Sequence, residues 1–511
     1  MSIESEAIAT EQEGDELLSL DQAVRFLGIS RPTIYRMLAQ GTLKGLRVGR
    51  QWRFRQDDLV NHAMRQPSGI GPQAASDAET ELEFFRAELA RAGASPTGDD
   101  VDEPDPAIAN MMRLNNAILE LALTCKASDV HIEPRRSGDA EEVLVRYRVD
   151  GALQPVRRMP GRLLGPIIHR FKLMTSMDTG EKRLPQSGRA RIVHEGRHFE
   201  LRVDTVPVIG GEALTIRVLF RDMSLPDLDG VHMSDDIRSR FDSLIHRPNG
   251  LILVSGPTGS GKTTVLYAAL QAVSDDSVKT VTVEDPVEFS IPNTTQVQIN
   301  PRGGVTMASA LRAIMRHDPD VIMSGEVVDP DTACQLVQAA ITGHLVMCQL
   351  HADSAAAAIE RFVSLCSDPY YSAAALVGAL NQRLVRRVCD SCASELAPDS
   401  IEWQTAASLA ARLAEIASKT AADEIGGARF RVGRGCPTCR MTGYKGRTAI
   451  YELVTINARL SEAIRNKASA DEIAALAAAQ GSGNLALDAL LKVITGVTTA
   501  DEVLRVLGTT F

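Results

Sequence analysis

Long apolar runs are missing from this sequence: stretches such as Leu251 to Val254 fall far short of the ~18 residues that span a bilayer. A leader that is basic and then apolar is missing too. Met1 to Asp15 is acidic, which predicts a cytosolic protein that meets a membrane only through partners. Positive charge is in deficit as well. With 55 Lys and Arg against 65 Asp and Glu, the net charge of −10 argues against a chain that coats nucleic acid along its length, and leaves a local basic patch possible. What is present is a globular composition, 44% hydrophobic and 23% charged, in 511 residues, room for three or four domains at ~100 to 200 residues each.

The chain is organised around residues 250–264. Gly250-Leu251-Ile252-Leu253-Val254-Ser255 reads as an apolar strand that breaks into Gly256-Pro257-Thr258-Gly259-Ser260-Gly261-Lys262-Thr263-Thr264 and then opens a helix. Strand, glycine loop and helix in that order make a phosphate-binding loop. The glycines let backbone N–H groups turn inward, and the helix N-terminus adds partial positive charge at the phosphates. In that role Lys262 reaches the β- and γ-phosphates of ATP, and Thr263 ligates Mg²⁺. Further strands are expected at 279–283, 321–324 and 345–350, with helices between, which predicts an α/β fold, a doubly wound sheet of RecA type. The second strand ends in Glu284-Asp285-Pro286 and the third in Ser324-Gly325-Glu326. Acids at the carboxyl ends of strands stand where open α/β sheets bind ligands, and can hold magnesium or orient water.

The other segments follow from composition and period. Residues 1–16 are polar and acidic and expected to be disordered. In 17–64, Ser19 to Gly28 reads as a capped helix and turn, Ser30 to Leu38 as a second helix, and Leu43 to Phe54 as a hairpin around Val48-Gly49-Arg50. Helix, tight turn and helix outline a DNA reader. The second helix exposes Arg31, Thr33, Tyr35 and Arg36, and the hairpin carries Arg47, Arg50 and Arg53. The segment resembles the excisionase-like and MerR-like winged helix-turn-helix domains, and holds eight Lys/Arg against three acids, a net of +5. Duplex DNA is one candidate partner; a winged helix reused to dock protein is the other. Residues 65–106 reverse the sign and read as an acidic linker, with a short helix in 79–91. A small α+β domain is expected over 107–224, ahead of a nucleotide domain at 225–385.

Cys389-Asp390-Ser391-Cys392 and Cys436-Pro437-Thr438-Cys439 form two CxxC pairs. Four thiolates are the tetrahedral set of structural Zn²⁺ with no position open for catalysis, and a redox dithiol is the other reading. The module is expected over 386–448, followed by a helical region at 449–511. Cys125, Cys334, Cys348 and Cys366 lack such pairing and read as ordinary buried thiols.

From about Met111 onward the sequence resembles the secretion ATPases of type II secretion and type IV pilus assembly. The likeness rests on Ala127-Ser128-Asp129-Val130-His131-Ile132-Glu133-Pro134, Arg148-Val149-Asp150-Gly151, Glu181 to Arg189, Thr282 to Pro286, Ser324-Gly325-Glu326 and Thr342-Gly343-His344 through His351. The resemblance implies that Glu326 is catalytic, that Glu284 stands near the attacking water, and that His344 and His351 couple nucleotide state to domain position. It also implies a hexameric ring, a homo-oligomer in which arginines complete the site; Arg189, Arg202, Arg312 and Arg316 match such arginines by position. The implied partners are inner-membrane platform proteins, and the implied location is cytoplasmic and peripheral at the inner membrane. The zinc pairs match the assembly and secretion branch. Two departures stand out. The family's Gly-Glu-Ile-Arg-Asp reads Gly325-Glu326-Val327-Val328-Asp329 here, so slower hydrolysis or dependence on a partner subunit is expected. The winged helix replaces the family's usual amino-terminal docking modules. Two functions follow: a ring ATPase that powers a secretion or pilus assembly machine, or a DNA-bound regulator that uses the ATPase core as a nucleotide sensor.

Overall fold

The computed structural model describes residues 18–20, 22–23, 34–35, 38, 43–48, 51–55, 59, 72–94, 105–137, 140–220, 226–366, 368–398, 400–417 and 428–508. The chain divides into two compact units, Met1–Met223 and Ser224–Phe511.

At the start of the first unit, short strands β1 (Leu18–Ser19), β2 (Leu46–Val48) and β3 (Gln51–Phe54) pair in the order β1-β3-β2. Val48 pairs with Gln51, so β2 and β3 form an antiparallel hairpin. Ala23, Ile34, Leu43, Phe54 and Leu59 are buried together beneath it. Tyr35 is exposed, Arg47 lies over the Trp52 ring with 6.0 Å to its centroid, and Arg53 pairs across the hairpin with Leu46. Arg31, Thr33, Arg36 and Arg50, like residues 1–16, lie outside the described residues.

The stretch expected as an acidic linker is in part a long helix, α1 (Pro72–Arg91). Its charges drew the linker reading, but Ala74, Ala78, Leu82, Phe85 and Leu89 recur at helical spacing and are buried. Glu81 holds Arg157 at 2.6 Å, and that guanidinium stacks on Phe84, 4.3 Å from the ring centroid. Helix α2 (Pro106–Thr124) is capped by Asp105, whose carboxylate accepts from the Ala107 N–H at 2.9 Å. Strands β4 (Asp129–Ser137), β5 (Ala140–Val149), β6 (Ala152–Pro160), β7 (Gln186–His194), β8 (Arg197–Val208) and β9 (Gly211–Phe220) form a six-stranded sheet in the order β6-β5-β4-β9-β8-β7, with all the pairings antiparallel. Helix α3 (Leu164–Met174) joins α1 and α2 in its core. Strands β7 and β8 are separate because Glu195 and Gly196 adopt positive φ and turn the chain.

The second unit opens with α4 (Asp235–Ile245) and β10 (Gly250–Ser255), all six residues of which are buried. Then come α5 (Lys262–Val273), β11 (Thr280–Glu284), β12 (Thr294–Gln298), α6 (Met307–Ile314), β13 (Val321–Glu326), α7 (Pro330–Ile341), β14 (Leu345–Leu350), α8 (Ala355–Cys366), α9 (Pro369–Ala375) and β15 (Leu376–Val388). Strands β10, β13 and β14 read as near-continuous apolar runs because helices cover the sheet and bury both faces. With β18 (Tyr444–Thr455), the order is β12-β11-β13-β14-β10-β15-β18, and only the β15–β18 pairing is antiparallel among these described strands. Strand β14 therefore separates the phosphate-loop strand from the one that ends at Glu326.

Strand β18 (Tyr444–Thr455) overturns two expected boundaries. It pairs with β15 from Gly378↔Thr455 to Val388↔Tyr444, so the divisions at 385/386 and 448/449 each cut a strand of the motor's own sheet. The four-cysteine module is an insertion between those two strands. It carries β16 (Ala393–Glu395), α10 (Ile401–Ile416) and β17 (Arg431–Gly433). Helix α10 packs with α13 (Leu485–Ile494) and α14 (Ala500–Leu507), which follow α11 (Ala458–Arg465) and α12 (Ala470–Ala479). Arg386 of β15 anchors α14 through Glu502, with Nη2 to Oε2 at 2.7 Å.

Candidate active site

The phosphate loop is built by close backbone approach. Gly256, Gly259 and Gly261 have φ of 147°, 75° and 90°, in the left-handed region that glycine enters without strain. A Cβ on Gly256 would lie 2.4 Å from the Gln382 carbonyl. Lys262 opens α5 and folds its ammonium back onto the loop, donating to the carbonyls of Gly256 at 2.8 Å and Pro257 at 3.1 Å. Burial lowers its pKa, and the Glu326 carboxylate opposes that shift. Pro257, Thr258, Ser260 and Thr264 complete the stretch; Ser260 is buried with Oγ unpartnered among the described residues.

Thr263 Oγ1 is contacted from two sides. Gln349 Nε2, near the end of β14, donates to it at 3.3 Å, and the hydroxyl faces Glu288 Oε1 at 3.4 Å. Gln349 also stands in register with Glu326, so the strand between β10 and β13 puts an amide between the two groups. Neither Gln349 nor Glu288 is singled out by the sequence motifs. Partial desolvation and the neighbouring Glu284 carboxylate raise the pKa of Glu288, as suits a base. Thr263 with these neighbours is the set that would hold Mg²⁺, which polarises phosphoryl oxygens when bound.

Glu284 does not fit the expected place near attacking water. It is buried and accepts from three side chains: Tyr267, Thr282 at 2.5 Å and Gln296 at 3.1 Å. Tyr267 in turn accepts from the Glu288 N–H at 3.3 Å, and burial raises its pKa, helped by the Glu284 carboxylate. Glu284 thus fastens the segment that carries Glu288 instead of facing solvent. Glu326 is exposed at the end of β13, two strands from the loop. Val328, the position where the resemblance implies arginine, is 65% exposed. Asp329 caps α7 by accepting from the Thr332 N–H at 2.8 Å.

The two histidines separate. The chain runs along β14 in parallel register with β10, Gly250 opposite Leu345 and Ser255 opposite Leu350. His351 therefore lies at the edge that bears the phosphate loop, and His344 at the opposite edge, about 20 Å away at 3.3 Å per residue. There His344 Nδ1 lies 2.8 Å from the Ala339 carbonyl, and its own carbonyl accepts from Gly250 N–H at 3.1 Å. Arg312 lies in the last turn of α6 and Arg316 just beyond, with Arg316 Nη1 on the Arg312 carbonyl at 3.1 Å. Both are exposed and sit where the chain enters the amino-terminal end of β13, away from its own phosphate loop. In the first unit, Arg189 and Arg202 are direct cross-strand neighbours. Their carboxylate partners are Glu200 at 3.5 Å and Asp204 at 3.3 Å.

The sulfurs of Cys389, Cys392, Cys436 and Cys439 all lie within 4.8 Å of one another. Cys389–Cys436, Cys392–Cys439 and Cys436–Cys439 are 3.9, 3.7 and 3.7 Å apart, close to the ~3.8 Å that a tetrahedron with Zn–S bonds of 2.3 Å requires. Backbone N–H groups of Cys436 and Gly443 donate to Cys439 Sγ at 3.2 and 3.3 Å, which favours thiolate. Backbone hydrogen bonding at Cys439 holds the Cys436 thiol down at about 6. The residues fit structural zinc. A Cβ on Gly433 would meet the Gly443 carbonyl at 1.9 Å, so the backbone closes over the site.

A parallel sheet with a glycine loop, Lys262 and Thr263 at its carboxyl edge, and Glu288, Glu326 and Gln349 beside them, defines a P-loop ATPase. Residues 106–505 match the family described as type II/IV secretion system protein, and residues 17–67 match a helix-turn-helix domain. The chain belongs to the type II/IV secretion system protein family. It is 41% identical over 387 residues to the type IV pilus assembly ATPase PilB of Thermus thermophilus, covering 76% of this chain and 42% of that protein. It thus spans less than half of that relative's length. It is 39% identical over 416 residues to the type II secretion system protein E of Pectobacterium carotovorum, covering 80% of this chain and 78% of that one. Among solved structures, the ATPase DotB of Legionella pneumophila matches with a TM-score of 0.52 at 21% identity, over 76% of this chain and 93% of that one; at that identity the likeness speaks for the fold.

Proposed function

We propose that this protein hydrolyses ATP as a ring motor and drives type II secretion or type IV pilus assembly from the cytoplasmic side of the inner membrane. The observation that carries the reading is the convergence of Lys262, Thr263, Glu288 and Glu326 at one edge of the parallel sheet. Lys262 and the loop N–H groups bind the phosphates, Thr263 holds Mg²⁺, and Glu326 and Glu288 share the ordering and deprotonation of the attacking water. Among the described residues no helix is long and apolar enough to cross a membrane, and the reading assigns attachment to platform proteins. Arg189 and Arg202, half exposed and side by side, suit a neighbouring subunit's nucleotide. Turnover per chain should therefore rise with protein concentration as rings assemble, checked by phosphate release alongside light scattering. A concentration-independent rate from a monomer counts against the ring.

The winged segment favours a second reading, a DNA-bound regulator. Its match to a helix-turn-helix domain and the basic hairpin bearing Arg47, Arg50 and Arg53 are what support it. Binding of labelled duplex by the full chain that falls steeply with salt supports DNA as partner. No binding at low salt, with capture of a platform protein, supports docking.

A further inference from the structure

Strand β15 does more than extend the sheet. At the level where β10 turns into the phosphate loop, three successive β15 side chains reach out of the strand. Asn381 Nδ2 donates to Ser255 Oγ at 2.8 Å and to the Ala352 carbonyl at 3.0 Å. Gln382 Nε2 donates to the Ser260 carbonyl at 2.7 Å. Arg383 Nη2 donates to Asp353 at 2.8 Å. Asn381 and Arg383 thus fasten the ends of β10 and β14, and Gln382 holds the loop itself.

We infer that Gln382 is the positioning residue that sets the phosphate loop in its anion-binding conformation; this rests on the ATPase reading above. A trans peptide sends its C=O and N–H to opposite sides. Holding the Ser260 carbonyl against β15 therefore turns the Gly261 N–H away from β15, toward the open side of the loop where phosphates bind. Gln382 also blocks the alternatives. Its carbonyl lies 2.4 Å from a Cβ position on Gly256, and its Nε2 3.0 Å from one on Gly261, so it touches the first and last glycines of the loop. Gln382 is 1% exposed, which keeps water from replacing it as the donor to Ser260. Its Oε1 has no partner among the described residues, so donation from Nε2 is what the amide supplies. Removing the donor leaves a buried carbonyl unsatisfied and frees the 260–261 peptide to rotate.

The test compares Gln382→Met, which keeps the length and loses the donor, with Gln382→Leu, which also loses the donor and adds no charge beside the phosphates. Val385→Ala, three residues along the same strand in another core cluster, controls for lost stability. Full-length proteins are titrated with fluorescent ADP, and kcat and KM for ATP are measured with thermal unfolding. Both Gln382 variants should raise the ADP Kd and the ATP KM about tenfold, with kcat within about twofold, as expected for loss of ground-state binding. Val385→Ala should lower the melting temperature and leave Kd unchanged. Wild-type protein that binds ADP, with Gln382→Met binding within twofold of it or shifted no further than Val385→Ala, overturns the inference. Wild-type protein that binds no nucleotide overturns the ATPase reading, and this inference with it.

Discussion

Glu502 offers the sharpest stability test, because one carboxylate ties the carboxyl-terminal helices to the motor's sheet. Its side chain is fully buried and accepts from Arg386 Nε and Nη2 at 3.0 and 2.7 Å, from the Arg386 N–H at 3.1 Å, and from Arg505 Nε and Nη2 at 2.7 Å each. Burial alone would raise its pKa, but the Arg505 and Arg386 guanidiniums outweigh that and hold it at about 2, against an ordinary 4.5. At about 1.4 kcal/mol per factor of ten, that difference stabilises the folded state by about 3 kcal/mol at neutral pH. Because the folded value lies below the unfolded one, the contribution is complete above pH 4.5 and is lost as pH falls from there toward 2. Glu502→Gln keeps the shape, removes the charge and leaves Arg386 without its counter-ion, so it should cost about 3 kcal/mol. Trp403 reports the change, since it meets Phe430 edge-on at 5.5 Å in the same cluster; Trp52→Phe silences the other tryptophan. In urea the Trp403 transition should move down by about 1 to 2 M. In the variant its acid dependence between pH 4.5 and 2 should shrink by the share that Glu502 carries. A cost under about 1 kcal/mol, or the same acid dependence in both proteins, refutes the reasoning.

Further outcomes follow from the sites. Chelation or Cys436→Ser should release about one zinc per chain and lower the midpoint of the Trp403 transition without changing ADP affinity, because the metal contributes folding free energy there; elemental analysis that finds no metal in a stable, folded preparation counts against it. Glu288→Gln should cut turnover at least about tenfold with ADP binding retained. Wild-type turnover should fall on the acid side at a pH above that of an unperturbed glutamate, since burial raises the pKa of Glu288. Glu284→Gln should instead lower the melting temperature together with turnover. A Glu284→Gln protein with normal stability and no turnover puts the base at Glu284.

How far the sequence was legible varied with the range of the forces involved. The run from Gly250 to Thr264 could be read because strand, glycine loop and helix are local, and all three are present as β10, the loop and α5. The two acids could not be told apart that way. Glu284 ends a strand buried on both faces, and its partners Tyr267, Thr282 and Gln296 come from three elements of the fold. Glu288 lies beyond the strand end, where no rule about strand ends looks. His344 and His351, seven residues apart, read as a pair although six strand residues put them at opposite edges. In residues 72–91 the charges masked an apolar stripe with helical period. The insertion of the cysteine module between β15 and β18 rests on pairing across more than fifty residues, which no local pattern encodes.

The central claim is that this site hydrolyses ATP through a glutamate at the end of β13. Phosphate release by purified full-length protein and by its Glu326→Gln variant, with ADP and ATP affinity measured on both, tests it most directly. The account predicts Mg²⁺-dependent release by the unmodified protein, and a variant that binds both nucleotides normally and releases phosphate at background rate, because the charge that orders the water is gone and the phosphate cradle is intact. Undiminished release by Glu326→Gln protein contradicts it.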